Sequence, residues 1–237
     1  MNNKYNLIYL DSVSSTNLFL KERYKEYEEF TLVYTNNQLS GKGRLGREWK
    51  SNNDSIALSV LLKPNKLDNI SNISLVAGAA VFETLKKYVK VSIKWPNDIL
   101  VNDKKVCGIL LEAISTDKIE ALVVGVGINV NNQCFDESIK NKASSLKIEL
   151  GIDFDKDEII NNFINNFDYL YNDFLNNGNL YLDIVKNNFY LKNKKAYINN
   201  KCIEVIDLDN DGSLIVLEDN KYKKIYSGEV TLENFYN

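Results

Sequence analysis

The sequence predicts an α+β fold, with mixed strands and helices over residues 1–190 and a small all-β unit over residues 191–237. Three observations carry this expectation. Strand-like and helix-like hydrophobic periods follow one another as far as Phe189. From Leu191 the character changes to short apolar runs separated by Asn- and Asp-rich turns, as in a small β-barrel. No internal repeat or low-complexity linker interrupts the 237 residues, which suffice for a substantial core.

The elements follow in order. Leu7 to Leu10 reads as a strand, and Ser14-Ser15-Thr16-Asn17 as the cap of a helix that begins with Leu18-Phe19-Leu20. Thr31 to Tyr34 is a second strand leading into a glycine-rich loop, and Ser55 to Leu62 a third, stopped by Lys63-Pro64. From Ser71 to Tyr88, Ile73, Val76, Ala77, Ala80, Val81 and Leu85 recur at helical spacing, which predicts an amphipathic helix. Val91 to Trp95 is a strand broken by Pro96-Asn97. Ile99 to Val101 and Lys105 to Ile114 flank a hairpin turn at Asn102-Asp103-Lys104, and Ala121 to Val130 is a further strand. The stripe Ile160, Phe163, Ile164, Phe167, Leu170, Tyr171 and Phe174 predicts a helix over Lys156 to Asn176, with Gly178 past its end. A second helix covers Leu180 to Phe189. The barrel strands are Ala196 to Ile198, Cys202 to Ile206, Leu214 to Leu217, Tyr222 to Tyr226 and Val230 to Leu232. Their turns are Asn199-Asn200, Asp209-Asn210-Asp211-Gly212 and Asp219-Asn220.

Bulk composition excludes several classes. Lys plus Arg is 29 against 32 for Asp plus Glu, a net charge of −3, which argues against binding nucleic acid by bulk electrostatics. Met1 to Leu10 holds only a short apolar run, and no stretch approaches the roughly 18 apolar residues of a membrane helix. A cytoplasmic location without membrane partners is expected. Cys107, Cys134 and Cys202 are widely separated and odd in number, which predicts reduced, mostly buried thiols. Histidine is absent, which removes Ser-His-Asp and Cys-His catalysis and His-ligated zinc. Chemistry near neutral pH is left to Lys, Arg, carboxylates, a carboxylate-held metal, or positioning alone.

The segment Gly41-Lys42-Gly43-Arg44-Leu45-Gly46-Arg47-Glu48-Trp49 packs glycines, cations and an indole into nine residues. Its glycines let a ligand approach the main chain, its cations suit phosphate, and Trp49 offers a flat face for a base. It reads as a loop closing over a phosphorylated, nucleotide-like ligand, yet it is neither a Walker A loop nor a dinucleotide fingerprint. In Lys94-Trp95-Pro96-Asn97-Asp98 the proline halts pairing. Alone this reads more readily as a turn with a local Asn side-chain cap, while Asp98, a carboxylate near a loop of cations, could take a proton from an amine or hold Mg²⁺. Alternation puts Lys105, Cys107, Ile109 and Leu111 on one face, and Val106, Gly108 and Leu110 on the other. A lysine at a hairpin mouth is ordinarily solvated, but Gly108 inside the strand marks something crowding in. In Val124-Gly125-Val126-Gly127-Ile128-Asn129-Val130 the valines and Ile128 share a core face. Gly125, Gly127 and Asn129 form the opposite one, a bare track for a flat ligand or for close packing of a helix.

Taken in order, these motifs resemble the biotin protein ligases: Ser15-Thr16-Asn17, Gln38 with Gly41 to Trp49, Lys94 to Asp98, Lys104 to Glu112 and Gly125 to Asn129. The resemblance spans essentially the whole chain. It implies a catalytic domain like the class II aminoacyl-tRNA synthetases, a mixed sheet flanked by helices, followed by an SH3-like barrel. It implies formation of biotinyl-adenylate from biotin and ATP with Mg²⁺, then transfer of biotin to a lysine of a biotin carboxyl carrier domain. Under the resemblance Ser15, Thr16 and Gln38 contact the biotin ring. The Gly41, Lys42 and Gly43 backbone folds over it, and Gly108, Gly125 and Gly127 line the pocket. Arg44, Arg47, Trp49, Asn97 and Asn129 hold the adenylate, with Trp49 and Asn129 at the adenine end, and Lys105 meets the biotin carboxylate and α-phosphate. Arg44, Lys105 and Asp98 would be the catalytic groups, Asp98 helping to deprotonate the acceptor amine. No side-chain metal site is expected beyond the Mg²⁺ that accompanies ATP, and the resemblance allows a homodimer.

The chain departs from the family pattern in places. Lys42 and Leu45 stand where arginines are more usual, and Glu233 where some members have an arginine that touches ATP. The motifs begin so close to Met1 that an enzyme without the DNA-binding domain of some members, and with no repressor role, is expected. Lipoate and octanoate ligases or transferases share the fold but carry a histidine in their signature loop. A non-catalytic biotin or nucleotide-binding regulator, or a structural module, is the remaining rival.

Overall fold

A computed structural model describes residues 4–64, 69–198, 201–228 and 230–232. The main sheet comprises β1 (Asn6–Leu10), β2 (Thr31–Thr35), β3 (Ser55–Leu62), β4 (Ser92–Lys94), β5 (Asp98–Val101), β6 (Lys104–Ser115) and β7 (Ile119–Asn129). Its order is β1-β2-β3-β7-β6-β5-β4, with β1 and β2 parallel and the other pairs antiparallel. The parallel pair needs a crossover, which α1 (Thr16–Arg23) supplies. Asn102 and Asp103 both take positive φ, so the β5–β6 turn is two residues long and Lys104 already belongs to the strand.

The two faces of β3 and β7 have different fates. Leu58, Val60, Val124, Val126 and Ile128 point into the principal core. There they meet α2 (Ile73–Leu85), α4 (Lys156–Leu175) and α5 (Leu180–Asn187). On the opposite face, Leu61, Ala121 and Val123 pack with Val33 under Leu20 of α1. Further along that face the ladder pairs are Ser59 with Gly125, Ala57 with Gly127 and Ser55 with Asn129. The sheet is thus covered by α1 at one end and lined only by small or polar residues at the other.

Helix α2 corrects the sequence expectation. It runs from Ile73 to Leu85, after a short 3-10 turn at Ile70–Asn72, rather than from Ser71 to Tyr88. Only Ser74 and Glu83 escape burial, so the helix is core on nearly all sides rather than amphipathic. Sheet and helices enclose it, and its small residues Ala77, Gly78, Ala79 and Ala80 permit that crowding. A short helix, α3 (Leu146–Leu150), has no counterpart in the sequence reading; Ser145 caps it by accepting from the Ile148 N–H.

The C-terminal strands β8 (Lys194–Ile198), β9 (Lys201–Leu208), β10 (Leu214–Glu218), β11 (Lys221–Ile225) and β12 (Thr231–Leu232) form an antiparallel sheet in the order β11-β10-β9-β8-β12. The Asn199-Asn200 turn, Glu229 and Glu233 lie outside the described residues. This small β domain is fastened to the larger one through the Asp211-Gly212 turn. The Gly212 carbonyl accepts from the buried Trp95 indole at 3.1 Å, and the Asp211 carbonyl from Asn72 Nδ2 at 3.0 Å. The thiols are free, but only Cys107 is buried; Cys134 and Cys202 are exposed, against the expectation of mostly buried cysteines. Among the described residues no helix is long and apolar enough to cross a membrane.

Aromatic stacking secures the long helix that backs the core. Phe163, Phe167 and Tyr171 stack at 5.6 Å centroid spacing along one face of α4, all fully buried. Replacing Phe167 with Ala is expected to cost about 3–5 kcal/mol in urea unfolding, since the large buried ring leaves a cavity. A loss under about 1 kcal/mol would show that this stack is not essential to the core.

Candidate active site

The small-residue end of the sheet carries the site. One transverse row runs from Ala57 through Gly127 and Gly108 to Asp98 and Lys94, each paired with the next across neighbouring strands. Over this row lies Trp49. A Cβ built on Gly127 would sit 2.4 Å from the indole, and one on Gly108 would sit 3.1 Å from it. A Cβ on Gly125 would sit 2.2 Å from Asn17 Oδ1. The track expected to be bare is therefore covered by Asn17 and Trp49, and only hydrogen at Gly125 and Gly127 permits that approach.

The alternation read from sequence fails at one point, and the failure matters. Ile99 pairs with Cys107 but Leu100 with Lys105, so Val106 is an extra residue in β6. The bulge turns Lys105 onto the face of Gly108 instead of the opposite one. A Cβ on Gly108 would lie 2.9 Å from Lys105 Nζ, and that ammonium is 2.6 Å from Asp98 Oδ1 and 5.5 Å from the Trp49 ring centroid. Lys105, Asp98, Gly108 and Trp49 thus form one cluster. Cys107 beneath it is fully buried, and burial pushes its thiol far up, leaving an inert neutral group.

The glycine-rich segment is a short hairpin folded over the row. Gly41 O accepts from Trp49 N at 2.8 Å, and Arg47 O accepts from Gly43 N at 2.7 Å, with a 3-10 turn at Arg44–Gly46. Arg44 pins it down. Its Nη1 donates to Asn97 Oδ1 at 3.0 Å and its Nη2 to the Gly228 carbonyl at 2.9 Å, joining loop, main sheet and small β domain. Asn97 is held in turn by donating to the Ile109 carbonyl at 2.9 Å.

Two spaces flank Trp49. The inner one, about 50 Å³, is lined by Ser15, Thr16, Gln38, Lys42, Gly43, Arg44 and Asn97, with Gly108, Gly125 and Gly127 as its floor. The outer cleft, about 990 Å³, is of the size of small-molecule sites and includes Arg47, Asp98, Asn129, Lys94 and Lys142 in its wall. Trp49 and Lys105 line both. Apart from Gly41, which backs the hairpin, all the expected site residues line one space or the other. Asn97 lies on the inner side with Arg44, away from the outer cleft. Asn129 commits its amide N–H to the Ser144 carbonyl at 3.0 Å, which leaves its Oδ1 to the cleft.

Some participants were missed by the sequence reading. Ser59, fully buried, reaches both Thr16 and Asn17; the small residues Ser55, Ala57 and Ser59 at period two were its signal. The far wall of the cleft, including Cys134, Phe135, Ser138 and Ala143, comes from an irregular segment with no periodic pattern. Among the described residues no group of three His, Cys, Asp or Glu side chains could hold a metal.

Fold and paired spaces together define an α+β enzyme with a tight polar recess beside a larger cleft lined by charged groups. Residues 8–129 match the model of the "Biotin/lipoate A/B protein ligase family". The Bifunctional ligase/repressor BirA of Bacillus subtilis is 31% identical, over 95% of this chain and 74% of that protein. The Biotin--[acetyl-CoA-carboxylase] ligase of Paracoccus denitrificans is 36% identical over 41% of this chain and 43% of its own. Among solved structures, the biotin protein ligase from Aquifex aeolicus in complex with biotin and ATP superposes with a TM-score of 0.87 at 31% identity, covering 96% of this chain and 98% of that one. The chain belongs to the biotin/lipoate A/B protein ligase family.

The contact between Trp49 and the glycine row is directly testable. Gly127→Ala places a methyl within 2.4 Å of the indole and must expel it. Tryptophan emission is expected to shift to the red, with buried Trp95 as an unchanged blue component, and an emission spectrum identical to that of the wild type would overturn the packing described.

Proposed function

We propose that the protein activates biotin with ATP to give biotinyl-5′-AMP and pyrophosphate, then transfers biotin to a lysine of a biotin carboxyl carrier domain of a carboxylase. Ligation is the activity we assign to the described residues, without transcriptional repression. The observation that carries this reading is that Lys105 and Trp49 line both spaces, so a molecule bridging the inner and outer ones passes beside one ammonium and one indole. The polar wall of Ser15, Thr16 and Gln38 suits the ring end of biotin, and the outer cleft suits the nucleotide. The bound ligands named for the Aquifex aeolicus structure, biotin and ATP, support this division.

The first step joins two anions. A biotin carboxylate oxygen forms a bond to the α-phosphorus as the bond to the pyrophosphate oxygen breaks. No proton moves, so no histidine or other base is needed; the task is alignment and neutralisation of charge. Lys105 and Arg44 are suited to it. Lys105 is paired with Asp98 at 2.6 Å, and a carboxylate or phosphate beside it competes with Asp98 for the ammonium, which frees Asp98. In the second step the acceptor amine attacks the anhydride carbonyl, AMP leaves with the C–O electron pair, and the amine proton passes to Asp98. Among the described residues Asp98 is the carboxylate paired with Lys105, and no group of three could hold a metal, so the residues fit a Mg²⁺ brought by the phosphates of ATP better than a protein-held ion. Such an ion would supply charge neutralisation at the phosphates.

Two measurements test this. Pyrophosphate–ATP exchange is expected to require biotin, and label is expected to pass to a carrier domain when one is added. A purified protein that shows no biotin-dependent exchange would refute the reading. Asp98→Asn is expected to slow transfer from preformed adenylate by roughly 10²-fold or more, in line with loss of a general base. Unchanged transfer would remove Asp98 from that role.

A further inference from the structure

Two amides stand in the wall of the outer cleft, and main-chain groups fix which way each one points. Asn129, buried on β7, donates Nδ2 to the Ser144 carbonyl at 3.0 Å, so its oxygen is the end left to the cleft. Asn52 is oriented the opposite way. The Asp54 N–H lies 3.0 Å from Asn52 Oδ1 in a tight side-chain turn, and a backbone N–H can only donate. Turning this amide over would set its NH₂ against that N–H, so the oxygen stays where it is whatever the neighbouring side chains do. Buried Asn132 donates Nδ2 to the same oxygen at 3.0 Å, and Ser55 Oγ lies 3.3 Å from it. The Asn52 oxygen is thus committed to the protein, and the NH₂ is the end left to the cleft.

The two amides are near neighbours. Ser55, fully buried on β3, is the cross-strand partner of Asn129 and the same residue that touches Asn52. One wall therefore presents an acceptor from Asn129 beside a donor from Asn52, with Trp49 close by in the same cleft.

We propose that Asn52 is a base-specificity residue, whose NH₂ donates to a ring nitrogen of adenine while the Asn129 oxygen accepts from the exocyclic amino group beside it. The inference deepens the ATP part of the functional reading and rests on it. The pair is complementary to a base edge that carries an amino group next to an unprotonated ring nitrogen, as adenine does on either side of its amino group. Guanine placed the same way sets its carbonyl oxygen against the Asn129 oxygen, two acceptors face to face. The flat face of the base is left to the Trp49 indole.

Biotin-dependent exchange of pyrophosphate into ATP, 1-deaza-ATP and 7-deaza-ATP tests the assignment, because each analogue replaces one of the two candidate ring nitrogens with C–H. Asn52→Asp keeps an oxygen for the Asp54 N–H, and so keeps the turn, but puts an acceptor where the donor was. Its KM for ATP is expected to rise by about tenfold or more, with the biotin KM and melting temperature near wild type. Asn52→Ala removes the donor alone and is expected to raise the ATP KM by roughly three- to tenfold. In the wild type one of the two analogues is expected to show a rise of that size, which identifies the nitrogen. With that analogue Asn52→Ala is expected to have no further effect, since the contact is already gone. A merely structural role, or a general change in the charge of the cleft, would instead penalise ATP and analogue alike. An ATP KM for Asn52→Asp within about twofold of wild type would overturn the proposal, as would an Asn52→Ala penalty equal for ATP and both analogues. Wild-type protein without biotin-dependent exchange would sink this inference together with the functional reading, whereas normal wild-type exchange with indifferent Asn52 variants would sink this inference alone.

Discussion

The site depends on one steric constraint: two adjacent strands present backbone, not side chains, to the cavity. Any Cβ at Gly127 would collide with Trp49, and any at Gly125 with Asn17. The rest of the arrangement follows from that approach. The indole can lie flat on the ribbon, so it divides the inner space from the outer cleft while touching both. The Asn17 amide can descend far enough to meet Glu112 and Ser59 at hydrogen-bonding distance. On the reverse side of the same strands Val124, Val126 and Ile128 are locked in the main core, so the ribbon is a stiff platform rather than a yielding loop.

Much of this was legible in the residues, because period two is unforgiving. Once Val124, Val126 and Ile128 are assigned to the core, Gly125, Gly127 and Asn129 have to share the other face, and they do. The same logic misled for Lys105. One inserted residue at Val106 reverses the parity of everything before it, and a bulge leaves no mark in a pattern as short as Lys105 to Gly108. Helix α2 shows a different limit. Its apolar spacing predicted a helix correctly, but spacing does not tell how many neighbours will cover it, and here they cover nearly all sides. The partner of Asn17 was invisible for a related reason. Glu112 lies far away in sequence and becomes a neighbour only through the pairing of β6 with β7 and the seating of α1 above them.

Charge is distributed to the same end. The chain as a whole carries a net charge of −3, yet Lys42, Arg44, Arg47, Lys94, Lys105 and Lys142 gather around the two spaces. A local cationic pocket in a weakly acidic protein attracts a phosphorylated ligand to one place without attracting polyanions everywhere. The absence of histidine fits this division of labour, since joining a carboxylate to a phosphate calls for placement and neutralisation rather than for a titrating base.

The Arg44 contacts have a mechanical corollary. One guanidinium ties the glycine hairpin to Asn97 in the large sheet and to the Gly228 carbonyl in the C-terminal region. The outer tether ends on a main-chain oxygen, so it depends on where the backbone of the terminal module runs; that backbone takes φ +137° at Gly228, a conformation a residue with a Cβ would strain. The terminal module is thereby a latch as well as an appendage, and its detachment would slacken the cover over the reactive chamber even if every group within that chamber remained intact.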